Sequence, residues 1–513
     1  MVENEISVIQ FTQESLVDLV CGASASGNRL VPPQVKYLAR YCERLGVKTL
    51  VHERHYIDRH FMDEYANYYS RKLEPPPNFV QRVHFFAHAF SDAQLAQWLR
   101  KGFASPTDRQ LAEREIQAPP GGTNLSSGYC GYSSIRPIQT VPLGRTIIVR
   151  LPDEEGPERQ IWTTNSHSVH LGNLRLTVEG LAFQQQDAAV GACATAALWS
   201  ALDQVARHDG IRAPTPAEIT EAAVRGARSG GRSMLSASVG LTLLQLCEAT
   251  RGFGFTPEVL SPLGHPEYFF LALHTYLASG IPVVLGLVGE AGRHAVTAAG
   301  FQLSGSDNAT LSCSIPVRSS RLNKIYIHDD RVGPYARAFI KPIVFPPKDS
   351  RPGPEGVSLD LELEDGVSEQ WVVECAVVPV YPKLRLPVSS LISIAESLAS
   401  GMELVVGKAK APALRVDLRY QRAGEYLKTL SGRLSNPGGA GEFVRKVSLS
   451  RWCAIVRWSV MDTPVADFVF DTTDVLRNAD SDVPALLRCI VSLSTEFQGA
   501  IEQAGAGFKV PTV

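Results

Sequence analysis

The chain has 513 residues, of which 44% are hydrophobic and 20% are charged, and its formal net charge is −2. A chain of this length holds about two to four domains with substantial cores, and this composition is that of a globular protein. The nearly neutral charge gives no reason to expect a nucleic-acid partner or an anionic membrane surface.

The nine cysteines are scattered, and no two have the CxxC spacing of a zinc or redox motif. We therefore expect reduced thiols and not a disulfide framework. The first residues are acidic where a signal peptide is basic, and no segment has the roughly 20 consecutive apolar residues of a membrane span. These features predict a cytoplasmic protein without a membrane partner, and the excess of arginine over lysine is typical of a GC-rich bacterial genome.

Residues 1–178 form a predicted N-terminal α+β domain whose residues indicate no chemistry of their own. Helix-forming runs, aromatic periodicity and capping residues predict helices at 33–45 and 58–72 and one starting after Ser91, with strands at 48–52 and 82–90.

Histidines in this region raise the question of a metal site. His52, His55 and His60 are close in sequence, and His84 and His88 are four residues apart. Neither group has the H-E-x-x-H pattern that turns two histidines to one side of a helix, and the second lies in a strand-like run. We expect ordinary partly buried or surface histidines, and no metal or cofactor.

The segment 183–200, FQQQDAAVGACATAALWS, places a cysteine at the start of an apolar helix. From Cys193 onward the residues are strong helix formers without an interior glycine or proline. A thiol at a helix N-terminus feels the positive end of the helix dipole, which favours the thiolate and makes Cys193 a candidate nucleophile.

Two later segments supply its candidate partners. Residues 280–301 predict strand, turn and strand, with His294 opening the second strand, and residues 324–339 predict a strand that ends at Asp329 and Asp330. The order cysteine, histidine, acid fits a nucleophile, a base and a carboxylate that orients the base. Asp329 ends the strand; Asp330 stays an alternative, because a shift of one residue turns a strand side chain to the other face.

At these residues the chain resembles the C39-like branch of the papain-fold cysteine peptidases. The resemblance rests on the glutamine run before Cys193, on GRHAV around His294 and on YIHDD around Asp329, and it covers roughly residues 180–345. It implies a papain-like domain, placed at 179–382, with a helical lobe followed by a lobe of antiparallel strands. Without membrane spans or a GxxxxGK[ST] loop, the chain is a soluble relative and not one of the transporter-fused forms.

The resemblance implies Cys193 as nucleophile, His294 as base, Asp329 as orienting acid and Gln186 as donor to the oxyanion. Gln186 lies seven residues before the cysteine where the family has six, and Ala192-Cys193-Ala194 replaces the usual Asp-Cys-Gly. Gln185 and Asp187 therefore remain alternatives for the oxyanion donor.

The rest of the chain completes an α+β prediction. Helical runs at about 215–227, 238–250 and 267–279 separate Cys193 from His294. The Pro-, Gly- and acid-rich insertion 348–369 is most simply a solvated hairpin or loop, and could also cover the cleft. Residues 383–513 are expected to form a C-terminal α+β domain with a pair of antiparallel strands and a late helix in 483–497.

Together these features predict a cysteine protease that cleaves one specific protein or peptide through a thioester intermediate. Acyl transfer by a transglutaminase or deamidase on the same triad is one alternative, since those reactions also pass through a thioester. A catalytically silent peptide-binding scaffold is the other. The sequence does not fix the oligomeric state.

Overall fold

The computed structural model describes residues 5–22, 30–121, 124–152, 158–186, 193–226, 240–290, 292–304, 315–347, 353–363, 367–406, 413–433, 447–460, 462–473 and 486–494, with 499, 502 and 512. Helices and antiparallel sheets are both abundant, so the chain belongs to the predicted α+β class. Within the described ranges, no helix is long and apolar enough to cross a membrane.

Most predicted helices begin close to their predicted positions, but the helix predicted at 58–72 is an α-helix only over Arg59–Glu64 and continues as a π-helix over Tyr65–Tyr69. Helix α4 starts with a capping box, in which Ser91 and Gln94 satisfy each other's backbone N–H groups, and α2 starts at Pro33. The helices are α1 (Gln13–Cys21), α2 (Pro33–Arg44), α3 (Arg59–Glu64), α4 (Asp92–Ala104), α5 (Pro106–Ile116), α6 (Cys193–His208), α7 (Pro216–Gly226), α8 (Leu243–Gly252), α9 (Pro266–Ala278), α10 (Val388–Val406) and α11 (Ala423–Arg433).

The N-terminal part is a five-stranded antiparallel sheet in the order β1-β2-β3-β4-β5, next to a separate hairpin of β7 and β8. Its strands are β1 (Ile6–Gln10), β2 (Thr49–Tyr56), β3 (Val80–Phe86), β4 (Tyr129–Ile135) and β5 (Leu143–Ile148), and the hairpin strands are β7 (Asn165–Leu171) and β8 (Leu174–Gly180). Buried residues on α1 and α2 pack against this sheet.

The central sheet is antiparallel and closes on itself. Its order is β10-β11-β12-β13-β14-β15-β9, and β15 also pairs with β10, so strands β10 to β15 form a ring of pairings. The strands are β6 (Arg159–Gln160), which pairs with β11, then β9 (Thr256–Leu260), β10 (Val283–Gly289), β11 (Gly292–Leu303), β12 (Leu322–Asp329), β13 (Gly333–Val344), β14 (Glu355–Glu362) and β15 (Ser368–Val380).

The predicted solvated loop in the insertion 348–369 is wrong over much of its length. Strand β14 pairs with β13 on one side and with the start of β15 on the other, so the hairpin alternative is nearer to the structure. Val357, Leu359 and Leu361 are buried, because alternate side chains of a strand point to one face. Residues 348–352 and 364–366 lie outside the described ranges.

The C-terminal part is a four-stranded antiparallel sheet of β16 (Leu414–Arg422), β17 (Trp452–Val460), β18 (Thr463–Asp471) and β19 (Leu487–Ser492). The predicted pair of antiparallel strands is β17 and β18. The predicted late helix is wrong, since residues 487–492 form β19 and pair with β18. The run of β-branched and apolar residues there fits a buried strand as well as a helix, and tertiary pairing decides between them.

One large buried core runs through the described structure. It includes Phe86 of the N-terminal sheet, Trp199 of α6, Val296 of the central sheet and Leu418 of the C-terminal sheet. The core is therefore continuous across positions 178 and 383, and the division into three domains stays a prediction. The continuity fixes α6 and the central sheet relative to each other, and these two elements carry the candidate site.

Candidate active site

Cys193 is the first residue of α6, as the sequence predicts. The helix is held deep in the core by Leu198, Trp199 and Leu202, whose side chains are fully buried, while Cys193 itself is only half-buried. The hydroxyl of Thr297 on β11 donates a hydrogen bond to the carbonyl of Ala197, 2.7 Å away. The sheet thus fixes the helix whose N-terminus presents the thiol.

His294 and Asp329 meet because β11 and β12 are neighbouring strands. His294 lies near the start of β11, Asp329 ends β12, and Thr297 is paired with His328 between them. The Nε2 atom of His294 lies 3.0 Å from Oδ1 of Asp329, and both side chains are buried. The backbone N–H of Arg331 donates to the same Oδ1 at 2.8 Å, which fixes the carboxylate.

The same imidazole also interacts with Cys193. Burial alone lowers the pKa of His294, but its hydrogen bond to Asp329, its interaction with the Cys193 side chain and the charges of Asp329 and Asp330 raise it to about 10. Because Asp329 engages Nε2, the ring nitrogen left for the thiol is Nδ1. The three residues that the sequence predicts are therefore brought together in the order thiol, imidazole, carboxylate.

Asp330 is a second carboxylate at the same imidazole. Its Oδ1 lies 3.7 Å from His294 Nε2, beyond hydrogen-bonding distance, whereas Asp329 is within it. Burial raises the pKa of Asp330, and the neighbouring Asp329 charge raises it further, while the His294 charge lowers it. By distance, Asp329 is the orienting carboxylate, and Asp330 is an additional group that the sequence offered only as an alternative.

Trp371 on β15 is part of the site and was not among the predicted residues. Its ring centroid lies 5.5 Å from that of His294, and its own ring is buried. Gly289 of β10 leaves room for it, since a Cβ atom at that position would lie 2.7 Å from the indole. The guanidinium of Arg331, which is ion-paired with Glu369, lies 5.3 Å from the indole centroid. The tryptophan thus shields the His294–Asp329 pair from water.

The sequence would have indicated Trp371 only if its position across β10 from His294 had been known in advance. The register that brings β15 against β10 is a long-range pairing, and the sequence does not show it.

Of the three candidates for the oxyanion donor, Gln185 is the one whose side-chain contacts are clear. The Oε1 atom of Gln185 accepts from the backbone N–H of Leu143 at 3.2 Å, and its Nε2 donates to the carbonyl of Thr140 at 3.5 Å. Its amide is therefore engaged with the N-terminal sheet. Gln186 is half-buried, and Asp187 lies outside the described residues. The assignment of the oxyanion donor to Gln186 stays a prediction.

Buried charges of the N-terminal part hold this run in place. The Nε2 atom of Gln184 donates to Glu64 Oε1 at 2.7 Å, and Arg136 donates to the backbone carbonyl of Gln185 at 2.8 Å. Arg136 and Glu64 form an ion pair at 3.6 Å in which both side chains are almost fully buried. The region predicted to have no chemistry of its own therefore holds Gln184 and Gln185, the first two glutamines of the run.

The remaining histidines that the sequence raised have other partners. His84 contacts Glu53 and Tyr129, and His52 contacts Gln81. His328, next to Asp329, is buried against the rings of Phe183 and Tyr335. Across the described residues, the group whose ligand atoms lie close enough to hold a metal ion is His294, Asp329 and Asp330.

The eight cysteines within the described ranges are free thiols. Cys193 differs from the others by its position at a helix N-terminus beside an imidazole, whereas burial raises the pKa of Cys247 on α8. No protein-family model matches the sequence, and no curated protein matches it at a significant level.

Proposed function

We propose that the chain is a cysteine peptidase with a papain-like central domain, and that Cys193, His294 and Asp329 are its catalytic triad. The observation that supports this most strongly is one buried imidazole that is hydrogen-bonded to Asp329 and whose pKa is raised both by that carboxylate and by its interaction with the half-buried Cys193. In this proposal, residues 179–382 are the catalytic domain, and the N- and C-terminal parts select a specific protein or peptide.

The proposed reaction begins with a proton held by His294 and a thiolate at Cys193. The raised pKa of His294 keeps the imidazolium protonated over the physiological range, which stabilises the thiolate next to it. The sulfur attacks the scissile carbonyl carbon, and the C=O π electrons move to oxygen. The N-terminus of α6 and Gln186 are the proposed donors to this oxyanion.

The tetrahedral intermediate then collapses, and the amine leaves with the proton from His294. This leaves a thioester on Cys193 and a neutral imidazole. The imidazole next takes a proton from water, the resulting hydroxide attacks the thioester, and the acid product is released as the thiolate and the imidazolium form again. Asp329 holds the ring orientation through both steps and stabilises its charged form.

We further propose that this reaction takes place in the cytoplasm, since eight cysteines without a disulfide bond among the described residues are typical of a reducing compartment. No described helix is able to cross a membrane. The proposed partner is a protein or peptide, without a nucleic acid.

A covalent peptide-like probe tests the proposal. A peptidyl epoxide is incubated with the wild-type protein and with Cys193→Ala, His294→Ala and Cys247→Ala. We expect labelling at Cys193 in the wild type and in Cys247→Ala, and a loss of labelling in the other two variants. Equal labelling of wild type and His294→Ala would overturn the peptidase proposal.

A second experiment separates hydrolysis from acyl transfer. Cell-extract proteins are incubated with the wild type or with Cys193→Ala in the presence of a labelled primary amine, and the products are identified by mass spectrometry. New N-termini that appear only with the wild type support hydrolysis. Amine incorporation or glutamine deamidation without new N-termini would support the acyl-transfer alternative, and neither product would support the silent scaffold.

A further inference from the structure

The site contains one more carboxylate than the triad uses. Asp329 and Asp330 are both buried, and they face a single Nε2 atom. That nitrogen carries one hydrogen, which Asp329 Oδ1 accepts. Among the described residues, Asp329 Oδ2 and Asp330 Oδ1 have no hydrogen-bond partner.

The positive charge of Arg331 attracts Asp330, but no hydrogen bond between the two side chains occurs among the described residues. The guanidinium of Arg331 lies over Trp371 and is paired with Glu369 at 3.1 Å. Two buried carboxylate oxygens without hydrogen-bond partners are costly unless a proton or a cation satisfies them. A proton on Asp330 would satisfy one of these oxygens, whereas a divalent cation between the two carboxylates would satisfy both.

Its donor atoms fit a particular class of cation. One imidazole nitrogen and two carboxylate oxygens lie within 4.8 Å of one another. A nitrogen and oxygen ligand set of this kind suits Zn²⁺ and similar divalent transition metals, and three protein ligands leave a coordination position for water. Cys193 is not part of this group of ligand atoms.

We propose that His294 Nε2, Asp329 and Asp330 form a binding site for a Zn²⁺-class divalent cation, and that metal binding switches off the triad. The binding half of this inference is independent of the proposed function, and the inhibitory half rests on it.

Binding replaces the Nε2–H bond of the imidazolium by a metal–nitrogen bond and releases that proton to water. The ring retains its hydrogen on Nδ1 and has no lone pair left to accept a proton. The metal-bound imidazole is neutral and has no lone pair to accept the thiol proton, so Cys193 loses its imidazolium partner and reacts more slowly. For the same reason the ring is unable to activate water against a thioester.

Metal binding is tested on the full chain carrying Cys193→Ser, which removes the thiol as a competing ligand. Isothermal titration with ZnCl₂ in two buffers of different ionisation enthalpy measures affinity and proton release, and CoCl₂ gives an absorption spectrum. We expect one metal per chain, release of at least one proton, and Co²⁺ bands without sulfur charge transfer.

The variants Asp330→Asn and His294→Ala, made in the same background, are expected to bind at least about tenfold more weakly. The matched control is His55→Ala, which removes an exposed histidine that also contacts a carboxylate, Glu5, and it is expected to bind as the parent does. Circular dichroism checks that each variant is folded. No saturable binding in the parent, or equal affinity in folded Asp330→Asn, would overturn the proposed site.

Inhibition is tested separately with the wild type. Zn²⁺ is expected to reduce labelling of Cys193 by the peptidyl epoxide, and Asp330→Asn is expected to need at least about tenfold more metal for the same reduction. An equal metal requirement in both proteins would show that Zn²⁺ acts on the thiol alone and overturn the inhibitory half. If Cys193 proves unreactive without metal, the proposed peptidase function fails, while the titration still decides the site.

Discussion

The Nε2 atom of His294 lies 3.0 Å from Oδ1 of Asp329, while Oδ1 of Asp330 lies 3.7 Å from the same nitrogen. The difference separates a hydrogen bond from an electrostatic contact. Asp329 therefore orients the imidazole through a hydrogen bond, whereas Asp330 acts on the same ring only through its charge.

Replacement of the two carboxylates is expected to have unequal effects. Asp329→Asn removes the charge that accepts the Nε2 hydrogen, so the imidazolium is destabilised, and iodoacetamide labelling of Cys193 at about pH 6.5 is expected to fall at least about tenfold. Asp330→Asn is expected to lose less, because it makes no hydrogen bond to the ring. Labelling rates measured by mass spectrometry that fall equally, or fall more for Asp330→Asn, would reverse the assignment.

Trp371 is expected to control the protonation of His294. In Trp371→Ala, water reaches His294 and Asp329. The cost of burying the imidazolium then falls, and its attraction to the two carboxylates is weakened by the higher local dielectric constant. The pKa of His294, now raised to about 10, is expected to move toward the ordinary value of 6.5. NMR titration of the histidine ring protons measures it.

Trp371→Phe is the matched control for that titration, since it keeps an aromatic ring and is expected to give an intermediate value. Truncation to alanine also costs about 3–5 kcal/mol of stability, so denaturant unfolding accompanies the titration. An unchanged pKa in folded Trp371→Ala would remove the shielding role.

The buried pair of Arg136 and Glu64 is expected to stabilise the segment before Cys193. Arg136→Ala leaves the Glu64 carboxylate buried without its counter-charge, which is expected to cost about 3–5 kcal/mol in urea unfolding. Adding Glu64→Gln removes that charge and keeps an acceptor for Gln184, so the double variant is expected to be more stable than Arg136→Ala alone. A double variant that is less stable would show that the two side chains act independently.

Acid is expected to destabilise the fold through buried histidines. Burial lowers the pKa of His274 to about 4, with nearby arginines adding to the effect and Asp417 opposing it, whereas in the unfolded chain the value is near 6.5. The unfolded state therefore binds the proton first as the pH falls. The stability that neutral His274 provides is fully present above pH 6.5 and is lost as the pH falls toward 4, at about 1.4 kcal/mol per pH unit.

The melting temperature measured from pH 7 to pH 4 checks this effect. His274→Asn is expected to flatten the slope by about one proton. A slope in His274→Asn equal to that of the wild type would contradict the assignment. His294 acts in the opposite direction, since its raised pKa gives stability that is present below pH 6.5 and lost as the pH rises toward 10.

Local patterns predicted the parts of the site that local rules determine. The helix start at Cys193, the strand at His294 and the strand end at Asp329 follow from helix formers and from short apolar runs bounded by turns. Asp329 and Asp330 could not be separated in advance, because their distances to His294 depend on the register between β11 and β12.

The features that the sequence did not predict depend on contacts between residues far apart in the chain. Trp371 reaches His294 through the closure of β15 onto β10, and residues 487–492 become a strand because β18 offers an edge. The Pro- and acid-rich composition of the insertion hid the alternation at Val357, Leu359 and Leu361 that places β14 in the sheet. The buried Arg136–Glu64 pair likewise joins residues far apart in the chain.

Whether His294 activates the Cys193 thiol is tested by the rate of iodoacetamide labelling at Cys193 across pH. The rate is measured in the wild type and in His294→Ala, with mass spectrometry to locate the label. Cys247 serves as the internal reference for a thiol without an imidazole partner. We expect fast labelling of Cys193 well below about pH 8.5, where ordinary thiols begin to react, and loss of that advantage in His294→Ala. Labelling of Cys193 no faster than Cys247 in the wild type would contradict an activated thiol at this site.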